Sequence, residues 1–168
     1  MKVLVDGDSC NRLKIIQRIC KKDNVELHVY HNYNVDINLF YGNDHVVDID
    51  KDAADYAILN NAKRNDIVAT DDYGLACMCI GKGCFVLNKK GVYINNHNLE
   101  TFLASRYAFQ EARRQAQRKG RTMKNKNNIN LIKEKNFNYE HSLKNLISKA
   151  KGVENDNNRT LENTKNHE

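Results

Sequence analysis

Apolar residues recur along this chain with two different periods. Residues 2–5 (KVLV) form a compact run and predict a buried strand. Leu13, Ile16, Ile19 and Cys20 then recur at helical spacing and predict a helix over 11–22. Residues 25–30 (VELHVY) alternate and are rich in β-formers, which predicts a second strand. A polar stretch with weak signals covers 31–43, and 46–48 reads as a third strand. The pattern then predicts a helix over 51–63, a strand over 66–70 (DIVAT), a short helix of small residues over 73–81 and a strand over 84–87. After a turn at Gly91 it predicts a strand over 92–94 and a long helix over 98–118. Beyond Gly120 the periodicity fades until Phe137, Leu143, Leu146 and Ile147, which predict a last amphipathic helix docked on the core.

Short apolar strands alternating with helices predict an α/β fold with a mainly parallel central sheet. Residues 1–149 read as a single domain, and 40% hydrophobic residues in 168 is enough to build a real core. Residues 150–168 lack a core-forming pattern and read as a disordered tail. No apolar run approaches the roughly 18 residues a membrane span needs, and the charged start does not resemble an export signal. Five cysteines without a CxxC pair predict free thiols in a reduced, cytoplasmic setting.

Charge changes the picture because it is unevenly spread. Residues 1–112 hold 13 Lys and Arg against 15 Asp and Glu, whereas 113–168 hold 14 against 6. An acidic front and a basic back suit a metal-using enzyme acting on a polyanion. They also suit a domain with a solvated basic tail.

The acids fall at three points. Asp6 and Asp8 follow the first strand, Asp52 and Asp55 open a helix, and Asp71 and Asp72 follow DIVAT. In open parallel sheets the carboxyl ends of the strands share one edge, and ligands bind there. Asp52 and Asp55, three apart, lie on nearly the same helix face. Each acid can equally be a helix cap or part of a turn: Asp8 or Asp52 as an N-cap, Asp71 or Asp72 before the helix at Tyr73. Crowded carboxylates without a counter-ion repel and raise one another's pKa. A divalent cation with oxygen ligands, Mg²⁺ or Mn²⁺, relieves that repulsion.

The segments VDGDSCN, DKDAADYAI, VATDDYGLA, GKGCFVLNKKGVYI and EARRQAQRKGR resemble, in order and spacing, the YaiI/YqxD family of uncharacterised bacterial proteins, over about residues 2–149. That family looks like a member of the PIN-like superfamily, a Rossmann-like three-layer α/β sandwich that includes metal-dependent ribonucleases. The resemblance implies Asp6, Asp55 and Asp72 as catalytic acids and metal ligands, with Asp8 and Asp52 as further family acids. It also implies Mg or Mn as cofactor and RNA as partner, through the basic helical extension. Two departures stand out. Asn11 replaces the usual proline after the cysteine, leaving Asn11 or Ser9 to start the helix, and Gly120-Arg121 replaces a Gly-Pro pair.

Other features carry less. Cys10, near a predicted helix start, reads as a half-buried packing residue, and Cys77, Cys79 and Cys84 as buried thiols without zinc spacing. Gly81-Lys82-Gly83 reads as a helix stop. On the long helix, Tyr107 and Phe109 are expected to face the core, and Arg113, Arg114, Arg118, Lys119 and Arg121 are candidates for phosphate contact. Three functions remain open: a Mg/Mn-dependent nuclease, a haloacid-dehalogenase-like phosphohydrolase using VDGDSC as its DxD motif, and a non-catalytic nucleic-acid-binding module. Against the second, Cys10 stands two residues after Asp8 and no cap insertion is visible.

Overall fold

A computed structural model describes residues 1–48, 50, 52–118 and 138–165. The chain runs β1 (Lys2–Asp6), α1 (Leu13–Lys22), β2 (Glu26–Asn32), β3 (Asn43–Val47), α2 (Ala53–Asn61), β4 (Ile67–Ala69), α3 (Tyr73–Gly81), β5 (Phe85–Leu87), β6 (Tyr93–Ile94), α4 (Asn96–Arg118) and α5 (Tyr139–Lys165). The six strands form one sheet in the order β3-β2-β1-β4-β5-β6. All neighbours are parallel except β5 and β6, which a tight turn at Gly91 joins as an antiparallel pair.

The three-residue runs make sense once both sheet faces are covered. Val3, Val5, Ile67, Ala69 and Leu87 point to a core shared with Ile16, Ile19, Leu143, Leu146 and Ile147 of α1 and α5. Leu4, Val68 and Val86 point the other way, to a core shared with Ile58, Leu75, Leu99 and Phe102 of α2, α3 and α4. Strands buried on both faces lose polar alternation and read as continuous apolar runs. The result is a three-layer sandwich, α/β with a mainly parallel sheet as the pattern predicts and three-layered as the resemblance implies.

The last helix docks through Leu143, Leu146 and Ile147; Phe137 lies outside the described residues. Ala150 is the last buried position among the described side chains of α5, with Lys151 and Gly152 exposed, and the helix runs to Lys165 where the sequence predicts an unstructured tail. Helical hydrogen bonds are local, and no proline interrupts this segment, so the helix can outrun its packed face. The polar stretch after β2 is tied to α1, where the buried Gln17 Oε1 accepts from the backbone N–H groups of Phe40 (2.7 Å) and Tyr41 (3.1 Å). Among the described residues, no helix is long and apolar enough to cross a membrane.

Candidate functional site

The strand order reverses between β1 and β4: the chain moves outward through β2 and β3 on one side, and through β5 and β6 on the other. Such a switch point leaves a crevice at the carboxyl ends of the two central strands. Asp6 ends β1, and Thr70, Asp71 and Asp72 follow β4. Two segments more than sixty residues apart thus meet because the central strands pair in register, Val5 beside Ala69.

Asp6 is held at the bottom of this edge and is 4% exposed. Its Oδ2 accepts hydrogen bonds from Ser9 Oγ at 2.6 Å and Thr70 Oγ1 at 2.9 Å. Both hydroxyls also accept from the loop after β4: Thr70 Oγ1 from the Asp72 N–H of its own loop (3.0 Å) and Ser9 Oγ, from across the edge, from the Asp71 N–H (3.3 Å). Ser9 and Thr70 therefore stitch the loop after β1 to the loop after β4, with the Asp6 carboxylate between them. Sequence reasoning assigned no such role to either. The signal was there in position alone, since both are hydroxyl residues within three positions of an acid at a strand end. Gly7 lets the chain leave β1 at this point. A Cβ there would lie 2.7 Å from Ile37 Cδ1 and 3.1 Å from the Tyr30 carbonyl oxygen, which accepts the Gly7 N–H at 2.8 Å.

The other acids take different roles. Asp72 is the N-cap of α3, its Oδ1 accepting from the Gly74 and Leu75 N–H groups at 2.7 and 3.0 Å, which leaves Oδ2 uncommitted to the cap. Asp72→Ala is expected to cost about 1 kcal/mol of stability, whereas Asp72→Asn keeps the acceptor and most of the cap; thermal unfolding of the pair measures the difference. Asp71 is neutralised by Lys89, Nζ to Oδ2 at 2.5 Å, and its Oδ1 accepts the Lys89 N–H at 2.9 Å. Asp8 caps no helix. It is exposed and accepts from the Asn32 N–H (3.1 Å) and Nδ2 (2.9 Å), bridging β1 to the end of β2. Asp52 occupies the N-cap position of α2 without a side-chain cap bond, and Asp55 lies in the first turn. Helix α1 starts behind Arg12 with no side-chain cap, so neither Asn11 nor Ser9 takes the capping role expected of them.

Electrostatics joins these acids into one group. Burial first, and then the negative charges of Asp6, Asp72, Asp52 and Asp8, together push the Asp55 carboxyl from 3.8 up to about 6. Among the described residues none of the five forms an ion pair. Also among those residues, no three His, Cys, Asp or Glu side chains stand close enough to hold a metal ion. The site is thus an uncompensated acidic group, with its carboxylates gathered but not drawn to coordination distance.

Helix α4 packs beside this edge at Tyr73. Arg106 lies over the Tyr73 ring, 5.7 Å from its centroid, and that ring stacks on Phe102 at 5.5 Å. The middle of α4 is therefore fixed to the residue next to Asp72. Leu99, Phe102 and Ser105 are its buried positions, and past Ser105 none of its described side chains is buried. Tyr107, expected in the core, is 69% exposed and lies beyond Ser105, the last buried position among the described side chains of α4. The side chain of Phe109 is not among those described. Arg113, Arg114 and Arg118 are exposed on this projecting half, Arg114 loosely paired with Glu111 at 3.9 Å; Lys119 and Arg121 lie outside the described residues.

The thiols divide. Cys10 is buried and burial pushes its pKa up, which makes it a packing residue rather than a nucleophile. Cys79 and Cys84 are buried as expected, but Cys77 is exposed, on the solvent side of α3.

Comparison with known sequences gives a consistent result. The model of a family described as "Uncharacterized BCR, YaiI/YqxD family" matches residues 4–149. A UPF0178 protein of Clostridium perfringens (strain SM101 / Type A) is 34% identical over 155 residues, covering 92% of this chain and all of that protein. A UPF0178 protein of Oceanobacillus iheyensis is 36% identical over 126 residues, 70% of this chain and 83% of its own. One from Lachnoclostridium phytofermentans is 32% identical over 147 residues, 88% and 97% of the two chains. No solved structure matches.

Proposed function

The chain belongs to the YaiI/YqxD family, and from that premise and the acidic switch point we propose that it is a Mg²⁺- or Mn²⁺-dependent phosphodiesterase acting on nucleic acid, RNA in preference. The observation that carries this reading is the convergence on Asp55. Burial, and after it four carboxylates from three separate segments, raise its pKa, with no ion pair to any of the five among the described residues. Such a group is costly to a fold unless a cation is part of its working state. Every donor is a carboxylate oxygen, which fits a hard divalent ion. Asp6, Asp55 and Asp72 would hold it, through the oxygens that Ser9, Thr70 and the α3 cap leave free, with Asp8 and Asp52 as outer acids.

When bound, such an ion supplies Lewis-acid activation of the phosphodiester and of the attacking water. The chain's own residues do the rest. Ser9 and Thr70 fix the Asp6 carboxylate by one oxygen, so that only the other is presented. The Asp72 cap fixes the α3 acid in the same way. Arg113, Arg114 and Arg118 offer guanidinium forks for the phosphate backbone beyond the edge. Asp6, buried and doubly hydrogen-bonded on one oxygen, is better placed to hold a cation than to act as a phosphorylated nucleophile.

The test is cleavage of end-labelled RNA by the purified chain in Mn²⁺, beside Asp6→Asn and Asp72→Asn prepared identically. Cation-dependent cleavage by the wild type alone supports the reading; equal residual cleavage by all three would mean contamination and sink it. A phosphoryl group trapped on Asp6 would move the protein to the aspartyl-phosphate class. Calorimetry showing no Mn²⁺ binding, with RNA affinity intact, would make it a binding module instead. Arg114→Ala and Arg118→Ala are each expected to weaken RNA binding without regard to sequence and to reduce the salt slope of log affinity by about 1. Fluorescence anisotropy across a salt series measures this, and an unchanged slope removes α4 from the interface.

A further inference from the structure

The end of α3 carries a pair of thiols that the proposed reaction does not use. The helix stops in a Schellman arrangement. The Cys84 N–H donates to the Cys79 carbonyl at 3.0 Å and the Gly83 N–H to the Ile80 carbonyl at 2.9 Å, with Gly83 left-handed at φ 81°. This motif brings the side chain of the second residue past the helix end onto the last turn, and the pair brought together is normally apolar. Here the two positions are Cys84 and Cys79. Both lie in the same buried cluster, and Cys84 Sγ donates to the Lys63 carbonyl at 3.2 Å. The backbone bond from Cys84 to Cys79 sets the two residues beside each other at the helix end, the proximity that a disulfide between them needs. Cys79 is 0% and Cys84 6% exposed, but the turn that covers them, Gly81 to Gly83, is exposed throughout.

We infer that Cys79 and Cys84 are a redox dithiol, closing to a disulfide on meeting a low-molecular-weight disulfide such as oxidised glutathione and reopening with a thiol reductant. Cys84 is the attacking thiol. The neighbouring Cys79 thiol holds the Cys84 thiol below its usual range, while Cys84 and burial hold Cys79 far above it. Cys84 gives up its proton and attacks one sulfur of the small disulfide, whose S–S bond breaks to release one thiolate. Cys79 then loses its proton and attacks Cys84 Sγ, releasing the second thiolate. The two protons end on the two small thiols, so one small disulfide is reduced as the two cysteines are oxidised. The bond would pin the C-terminal end of the helix whose N-terminal cap is Asp72, and the start of β5, to one another.

The experiment is thiol mapping of the full folded chain after exposure to oxidised glutathione, acid quenching, unfolding and alkylation. In the wild type Cys79 and Cys84 are expected to escape alkylation, their linked segment being lighter by two hydrogens, while Cys10 and Cys20 are alkylated. A thiol reductant is expected to restore alkylation of both. In Cys79→Ser, which removes the resolving thiol, Cys84 is expected to keep a glutathionyl adduct. Full alkylation of Cys79 and Cys84 in the wild type would overturn the inference. So would a disulfide between Cys77 and either of them. The wild-type map decides the matter even where a variant folds poorly.

Discussion

Asp55→Asn is expected to lower Mn²⁺-dependent cleavage of RNA by about 100-fold or more while making the cation-free protein more stable at neutral pH. The loss follows from removing one carboxylate of an ion-holding set, where electrostatic activation contributes several kcal/mol to the transition state. The gain in stability has the opposite origin. The Asp55 carboxyl is raised from 3.8 to about 6 in the fold, by burial first and then by Asp6, Asp72, Asp52 and Asp8. The folded state therefore binds more protons than the unfolded state between those two values. Stability contributed by this group is present below the lower value and lost as pH rises through about 6. The variant, uncharged throughout, lacks that loss. Its advantage is expected to be full above pH 6 and to vanish near pH 4. Adding Mn²⁺ is expected to raise the wild-type melting temperature and leave the variant unmoved, since a cation that binds only the folded state stabilises it by mass action. Thermal unfolding across pH, with and without Mn²⁺, reads both effects. A variant less stable than wild type at pH 7 would show that Asp55 is held by favourable contacts and does not belong to a repulsive cluster.

Thr70→Val is expected to cost about 1.5–3 kcal/mol, the value of a buried hydrogen bond to a charged group. Thr70 is 2% exposed, and its hydroxyl both donates to Asp6 Oδ2 and accepts the Asp72 N–H. Valine fills the same volume but leaves a buried carboxylate short of one donor and a backbone N–H without an acceptor. Thr70→Ser is expected to recover most of the loss, because it restores the hydroxyl. Urea denaturation in a chelator measures this as a fall in midpoint without a change in slope. Equal midpoints for Val and wild type would show that the hydroxyl does not bind the two loops together. Cleavage should also fall in Thr70→Val and return in Thr70→Ser, as befits a positioning residue that acts through Asp6.

The paired fates of Asp71 and Asp72 show where sequence reading stops. Adjacent, chemically identical and both placed after DIVAT, they separate completely in the fold. Lys89, eighteen residues away, neutralises one, while the other caps α3 and keeps a free oxygen. Asp8 likewise looked like a cap and instead reaches across to Asn32. Tyr107 looked like a core residue because its helix is amphipathic at the start, but it lies beyond Ser105, the last buried position among the described side chains of α4.

The sequence by itself determined the element order, the α/β class, the family and the set of acids at the strand ends. Those follow from local periodicity and from motif spacing, which are written in neighbouring residues. The tertiary structure alone decided that β1 and β4 pair at the centre of the sheet. That pairing brings Asp6 under the hydroxyl of Thr70 and places Asp55 in the field of four other carboxylates. Burial and charge–charge repulsion depend on distances between segments far apart in the chain, and those distances exist only once the strands have paired.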